Sequence, residues 1–286
     1  AMMRDAGKTI SEADPEISEA IDFARYYALS AENINNESSS LGVVVIAPPW
    51  NFPYAIPMGG IAAALVSGNS VIFKPAPETV LVAWELVNQL WKAGVPKSVL
   101  HFLPTKDDEV GKYLITHKDV DAVVLTGSFE TALLFKEWKP SLRLLAETSG
   151  KNSIVVTASA DIDTAVKDII DSAFGHAGQK CSASSLAILE TSIYENPAFF
   201  KQLKDAVTSL KVGDPLSNKL LTFLASSFLI FLTTVVIFLV SWLKLILKAS
   251  TPSSIIFLSW NVDDIAGPKV AIIFAFFSII LKGVLY

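Results

Sequence analysis

Cysteine and histidine are scarce in this sequence. Its 286 residues include one cysteine, Cys181, and three widely separated histidines, His101, His117 and His176. A single cysteine forms no disulfide within the chain, which favours a reducing compartment such as the cytoplasm. The histidines lack the spacing of zinc ligands, so we predict no metal site.

An excess of positive charge is also lacking. Lysine and arginine total 23 against 28 aspartate and glutamate residues, which gives a formal net charge of -5. This balance offers no basic stripe for a phosphate backbone, so we expect no nucleic-acid partner. The first residues also lack the apolar core of a secretory signal.

Charge of either sign becomes rare after Pro215. Residues 216–286 contain five lysines and two aspartates, and residues 220–243 contain no charged side chain. As a helix, that uncharged stretch would be about 36 Å long, against about 30 Å of bilayer hydrocarbon. Two hypotheses follow. The stretch is a genuine transmembrane segment, which makes the membrane a partner, or the tail is the translation of an out-of-frame or non-coding stretch. We therefore separate a domain at 1–215 from an apolar tail at 216–286.

The first 215 residues alternate short β-rich runs with longer amphipathic runs. The predicted strands are 42–47, 70–74, 99–103, 122–126, 142–146, 153–156 and 186–190. The predicted helices are 15–28, 57–65, 78–93, 108–116, 129–138, 161–174 and 197–210. Repeated strand, helix and strand imply parallel pairing with helices on both faces of the sheet. The sequence therefore predicts a doubly wound α/β fold.

Three residues on turn-like segments have side chains suited to aldehyde chemistry. Cys181 lies on a turn and can add to an aldehyde carbon as a thiolate. Asn51 follows a proline-rich run that restricts its backbone, and its amide can donate to the resulting oxyanion. Glu147 follows apolar residues, and we expect a partly buried carboxylate that activates water. The alternatives are an inert buried thiol, an asparagine that ends a turn, and a surface carboxylate.

Five motifs occur together, namely APPWNFP at 47–53, KPA at 74–76, TGS at 126–128, ETSGKN at 147–152 and GQKC at 178–181. With them, residues 1–215 resemble the aldehyde dehydrogenase superfamily. The runs at 22–28, 146–148 and 172–183 are most similar to the Δ1-pyrroline-5-carboxylate dehydrogenases, including the module found in bifunctional proline-utilisation proteins. The resemblance implies a variant Rossmann site, NAD(P)-dependent oxidation of glutamate γ-semialdehyde, and a homo-oligomeric parent protein.

The resemblance also implies roles for individual residues. Cys181 would be the nucleophile, Asn51 the oxyanion donor and Glu147 the general base, while Lys180 and Ser182 would contact the substrate. NAD is the expected cofactor, and NADP stays open because Pro77 stands where many NAD-preferring members have glutamate. The implied cofactor-binding residues are Ala47, Pro48, Trp50, Lys74, Ala76, Glu78, Thr126, Gly127, Ser128 and Thr148.

The chain departs from the family pattern after Pro215. A Glu-x-Phe-Gly-Pro segment, a substrate-anchor loop and an oligomerisation strand would follow in the family, and none is found in residues 216–286. We therefore expect an incomplete catalytic domain, cut from a longer protein and impaired in activity. One alternative is a membrane-anchored α/β binding protein without catalysis, and another is an unstable product with no role.

Overall fold

A computed structural model describes residues 1–32 and 38–216 of the chain. The chain divides into two compact units, Ala1–Ser149 and Gly150–Tyr286. The second is described as far as residue 216. The helices of the first unit are α1 (Met2–Asp5), α2 (Ile10–Ala31), α3 (Ala55–Val66), α4 (Val80–Lys92), α5 (Glu109–Thr116) and α6 (Phe129–Trp138). Its strands are β1 (Val43–Ala47), β2 (Ser70–Phe73), β3 (Leu100–Phe102), β4 (Ala122–Gly127) and β5 (Leu144–Thr148).

The five strands of the first unit form one sheet in the order β3-β2-β1-β4-β5. Every neighbouring pair is parallel, and β1 is central, with β2 on one side and β4 on the other. Because β1 is followed in sequence by β2 but is also paired with β4, the connections leave it in two directions. The predicted doubly wound α/β fold is confirmed.

Side chains of β1 alternate between two cores, one on each face of the sheet. Val44 and Ile46 pack in a core that includes residues of α2, α3 and α4. Val45 and Ala47 pack in a second core with residues of α5 and α6. A strand buried on both faces reads as a continuous apolar run, which explains the sequence VVVIA in β1.

The second unit contains a smaller parallel pair of strands. Its elements are β6 (Asn152–Val156), α7 (Ile162–Phe174), a 3₁₀ turn (Gly175–Gly178), β7 (Ser184–Leu189), α8 (Thr191–Tyr194) and α9 (Pro197–Ser209). Val156, Val166 and Phe199 are among the residues of its core. Asp161 caps α7 by accepting from the Thr164 amide at 2.8 Å, and this hydrogen bond lowers the pKa of Asp161 below its ordinary value.

Several elements differ from the sequence prediction. Helix α2 begins at Ile10, before Pro15, because the Thr9 amide donates to the Glu12 carboxylate at 2.9 Å in a capping box. Strand β5 begins at Leu144, because Leu142 is buried in the turn before it, where its amide donates to the Lys139 carbonyl at 2.9 Å. The short helices α1 and α8 were not predicted.

The predicted uncharged span at 220–243 lies outside the described residues, as does nearly all of the apolar tail. Within residues 1–32 and 38–216, none of the helices is both long enough and apolar enough to cross a bilayer.

Helix α6 provides a test of which side chains hold the first unit together. Phe135 is 1% exposed and packs in the second core, whereas Leu133 on the same helix is 53% exposed. We expect Phe135→Ala to lower the free energy of unfolding by about 3–5 kcal/mol through the cavity that it leaves. The matched variant Leu133→Ala should change it by less than about 0.5 kcal/mol. Urea unfolding monitored by tryptophan fluorescence measures both, and equal losses would contradict the assignment of this core.

Candidate active site

The carboxyl ends of β1 and β4 lie side by side at the centre of the sheet. Ala47 pairs with Leu125 in parallel register, so the chain leaves both strands at the same edge. The strand order reverses between these two strands, and in open α/β sheets ligands bind in the crevice at such a switch point. Two of the five motifs, APPWNFP and TGS, begin or lie at this edge.

The segment after β1 carries Asn51 into helix α3. Ala47, the last residue of β1, is buried, while Pro48, Trp50 and Asn51 are half-buried. Tyr54 stands at the N-cap of α3. Burial, and secondarily the charge of Glu85, raises the pKa of the Tyr54 hydroxyl, which therefore stays protonated and donates to Gln89 Oε1 at 2.5 Å.

Lys74 directly follows β2 and is 5% exposed. Its backbone amide donates to the Ile46 carbonyl of β1 at 2.9 Å, so the residue remains in register with the central strand. Its Nζ donates to Asp107 Oδ1 at 2.6 Å, and the Asp107 side chain is 51% exposed. A fixed cation with a half-exposed carboxylate therefore lies at the carboxyl end of β2. Of the other predicted residues nearby, Ala76 caps the 3₁₀ turn Pro77–Thr79, and Glu78 is exposed.

The residues TGS connect β4 to α6. Thr126 and Gly127 end the strand, and Ser128 is the N-cap of the helix, where its hydroxyl accepts from the Thr131 amide at 3.1 Å. The first amides of a helix have no acceptor within it, and together with the helix dipole they favour an anion such as a pyrophosphate. The arrangement therefore fits the phosphates of a dinucleotide.

Glu147 and Thr148 lie on β5 opposite Thr126 and Gly127 of β4. The strand prediction ended at residue 146, so the structure places Glu147 inside the strand rather than after it. Glu147 is exposed, and the expected partial burial is wrong for the described part of the chain. The apolar residues before it do not bury the carboxylate, because β5 is the edge strand and Leu145 and Ala146 are themselves exposed.

Cys181 belongs to the second unit and lies in a turn between the 3₁₀ turn and β7. The thiol is exposed, so the alternative of an inert buried cysteine is wrong. Its neighbours Lys180 and Ser182 are exposed as well. Just before them, His176 and Ala177 both have φ of 53°, a left-handed conformation that costs a residue with a Cβ about 1–2 kcal/mol. Strain of this kind clusters at functional sites.

The side chain of Asn152 binds the backbone of the cysteine turn. Its Nδ2 donates to the Cys181 carbonyl at 2.6 Å and to the Ala183 carbonyl at 3.3 Å. The motif ETSGKN thus ends in a residue that holds the turn containing Cys181. Sequence reasoning assigned Asn152 no role, although its place in a motif beside a predicted strand was a signal.

Asn51, Lys74, Ser128 and Glu147 all belong to the first unit, where the structure brings their segments to one edge of the sheet. Cys181 belongs to the second unit. Sequence reasoning also missed Asp107, Lys8 and Glu16, because the pairing of a lysine with one particular carboxylate leaves no pattern in sequence. No group of three His, Cys, Asp or Glu side chains within residues 1–32 and 38–216 could hold a metal ion.

Residues 1–222 match the aldehyde dehydrogenase family, and the chain belongs to that family. The resemblance inferred from the five motifs is thereby confirmed. Enzymes of this family are NAD(P)-dependent in general and act on aldehydes.

Similar proteins carry more particular names. The 1-pyrroline-5-carboxylate dehydrogenase of Staphylococcus aureus is 40% identical over 239 residues, covering 76% of this chain and 46% of that protein. The enzyme of that name from Oceanobacillus iheyensis is 39% identical over 233 residues, covering 74% and 45%. The structure of proline utilization A from Corynebacterium freiburgense has a TM-score of 0.72 and 49% identity, covering 77% of this chain and 23% of that one. The chain thus spans about half the length of the curated relatives that it matches.

The contacts of Asn152 generate a test of the cysteine turn. We expect Asn152→Ala to speed backbone hydrogen exchange in residues 179–184, because two carbonyl oxygens of that turn lose their donor. Hydrogen exchange followed by mass spectrometry measures this directly. Asn196→Ala is the matched control, since Asn196 caps α9 by accepting from the Ala198 amide at 2.9 Å. The control should leave residues 179–184 unchanged, and a similar change in both variants would contradict the role of Asn152.

Proposed function

We propose that this chain supplies the cofactor-binding region and the nucleophile of a dehydrogenase that oxidises glutamate γ-semialdehyde to glutamate with NAD. One observation carries the proposal: the segments of Asn51, Ser128 and Glu147 lie together at the carboxyl edge of β1, β4 and β5. The names of the similar proteins support the choice of substrate. We also propose a reducing, cytoplasmic location, on the basis of the single cysteine, and a homo-oligomeric parent protein, on the basis of the family.

The reaction begins at Cys181. Its thiolate forms a bond to the aldehyde carbon, and the carbonyl oxygen becomes an oxyanion that accepts from the Asn51 side-chain amide. The bound nicotinamide supplies the acceptor for the hydride that leaves this carbon. A thioester on Cys181 remains, and Glu147 removes a proton from the water that attacks it, which releases the carboxylate product and the thiolate. An exposed Glu147 suits this step, because the proton must pass on to solvent.

Two exposed residues beside the nucleophile offer contacts to the substrate. Lys180 provides a cation for the α-carboxylate of glutamate γ-semialdehyde, and Ser182 provides a hydroxyl. A charged contact of this kind favours an acidic aldehyde over a plain aliphatic one. Lys180 and Ser182 are therefore assigned to substrate recognition beside Cys181.

The Lys74–Asp107 pair supports NAD rather than NADP. Lys74 donates to a ribose hydroxyl, and the half-exposed Asp107 carboxylate can accept from one, as a carboxylate does at many NAD sites. A 2′-phosphate would meet the same carboxylate and be repelled. Many NAD-preferring members of the family have a glutamate at the position of Pro77. In this chain Asp107 would serve the purpose of that glutamate.

The catalytic assignment is tested by three substitutions measured as NADH formation with glutamate γ-semialdehyde. Cys181→Ser should abolish aldehyde oxidation, and Asn51→Ala should slow it about 100- to 1000-fold by removing an oxyanion donor. Glu147→Gln should allow one burst of NADH and then stall, because the thioester persists. Hydroxylamine trapping of that thioester, detected by mass spectrometry, provides a second measurement. Glu137→Gln, at an exposed position of α6, is the control. Normal turnover in Cys181→Ser would contradict the mechanism.

The cofactor assignment is tested by binding alone. Titration calorimetry of the chain with NAD and NADP should show a preference for NAD. Asp107→Asn should reduce that preference about tenfold. The repulsion between the Asp107 carboxylate and the 2′-phosphate of NADP at a partly screened site is worth about 1–2 kcal/mol. Asp119→Asn, an exposed carboxylate elsewhere in the first unit, should leave the ratio unchanged. A ratio that is the same in Asp107→Asn as in the native chain would exclude Asp107 from the site.

A further inference from the structure

A buried ion pair at the start of the chain takes no part in the chemistry proposed above. Lys8 lies between α1 and α2, Glu16 lies on α2, and each is 1% exposed. The Lys8 ammonium donates to Glu16 Oε2. Charged side chains are almost never this deeply buried without a partner, so both charges must satisfy their hydrogen bonds inside the protein.

The second oxygen of Glu16 caps a different helix. Glu16 Oε1 accepts from the Tyr54 amide at 2.8 Å and from the Ala55 amide at 3.1 Å, which are the first amides of α3. Tyr54, at the N-cap, makes no capping hydrogen bond with its own side chain. A carboxylate here satisfies amides that lack an acceptor within the helix and also interacts favourably with the helix dipole.

Lys8, the other member of the pair, contacts the same segment before α3. Its Nζ lies 3.8 Å from the centroid of the Phe52 ring, within the range of a cation–π interaction. The pair therefore contacts Phe52, Tyr54 and Ala55, which follow Asn51 directly. Pro53 lies between them and fixes a further backbone angle.

The energetics favour a role in geometry over a role in stability. Two charges lose their hydration on burial, and well-packed apolar side chains of similar volume often serve stability equally well or better. What apolar side chains cannot do is accept hydrogen bonds from the Tyr54 and Ala55 amides. The distinctive contribution of the pair is thus to hold the entrance of α3 in one position.

We propose that Lys8 and Glu16 are positioning residues that hold residues 52–55 and thereby orient the amide of Asn51. The inference rests on the oxyanion role proposed for Asn51. Neither Lys8 nor Glu16 contacts the reacting atoms in this proposal. They act on Asn51 through residues 52–55, which follow it in the chain and which they bind.

Two double variants test the positioning role, because they differ only in the capping atom. Lys8→Met with Glu16→Leu removes both charges and the acceptor, whereas Lys8→Met with Glu16→Gln removes the charges and retains an amide oxygen. In the first, exchange of the Tyr54 and Ala55 amides should be about tenfold faster than in the native chain. In the second, exchange should remain close to native, and both should retain NAD affinity.

Activity separates positioning from a general loss of structure. In preparations that oxidise aldehyde, the leucine double variant should lose about 10- to 100-fold in kcat with little change in KM for NAD, because a small displacement of a catalytic group is costly. The glutamine double variant should recover most of that loss. Ile115→Ala is the control for general destabilisation, since Ile115 is fully buried in the core on the opposite face of the sheet.

The outcomes distinguish failure of this inference from failure of the proposed function. Native exchange rates at Tyr54 and Ala55 in the leucine variant would overturn the positioning role, whatever Asn51 does. Faster exchange at these two amides in Ile115→Ala would also overturn it. If exchange responds as expected but Asn51→Ala turns over normally, the segment is held by the pair and the oxyanion assignment is wrong.

Discussion

The parallel pairing of β1 with both β2 and β4 determines where the candidate groups of the first unit lie. Parallel neighbours direct their carboxyl ends to the same edge, so the segments after β1, β2 and β4 emerge side by side. Asn51, Lys74 and Ser128 occupy those segments, although they are distant in sequence. The helices on both faces bury residues 44–47 of β1, and the chain becomes half-buried only after Ala47, in the segment that carries Asn51. The chemistry of the first unit is therefore a consequence of strand order.

The elements with strong local signals could be predicted from sequence. Helix α6 has the predicted bounds, because Ser128 caps its start and Pro140 follows its end. The strands on both sides of β1 were found from their apolar runs. Strand β5 was misplaced by two residues, because Leu142 looks like a strand residue and is in fact a buried residue of a turn. The left-handed backbone at His176 also leaves no sequence signal, since such conformations usually call for glycine.

The candidate site was predictable in its residue types but not in their environments. The motifs identified Cys181 and Glu147, yet the exposure of Glu147 depends on β5 being an edge strand, which only the strand order shows. The partners of Lys74 and Asn152 come from turns 33 and 29 positions away in sequence, and the Lys8–Glu16 pair, although only 8 positions apart, belongs to no motif. Two lysine–carboxylate pairs nevertheless differ clearly: Lys74–Asp107 is half-open to solvent and suits a ligand, whereas Lys8–Glu16 is closed and suits a scaffold.

The central position of β1 also has a consequence for synthesis on the ribosome. Val43 donates to Asp121, which lies 78 positions later in the chain, whereas β2 follows β1 after one helix. At about 5–20 residues per second, the roughly 50 residues between β2 and β4 take about 2 to 10 seconds to appear. Throughout that interval one edge of the most apolar strand has no partner, and an open edge of this kind is a template for aggregation. The nascent chain therefore carries this open edge until β4 pairs with β1 and completes the part of the sheet at which Asn51 and Ser128 lie.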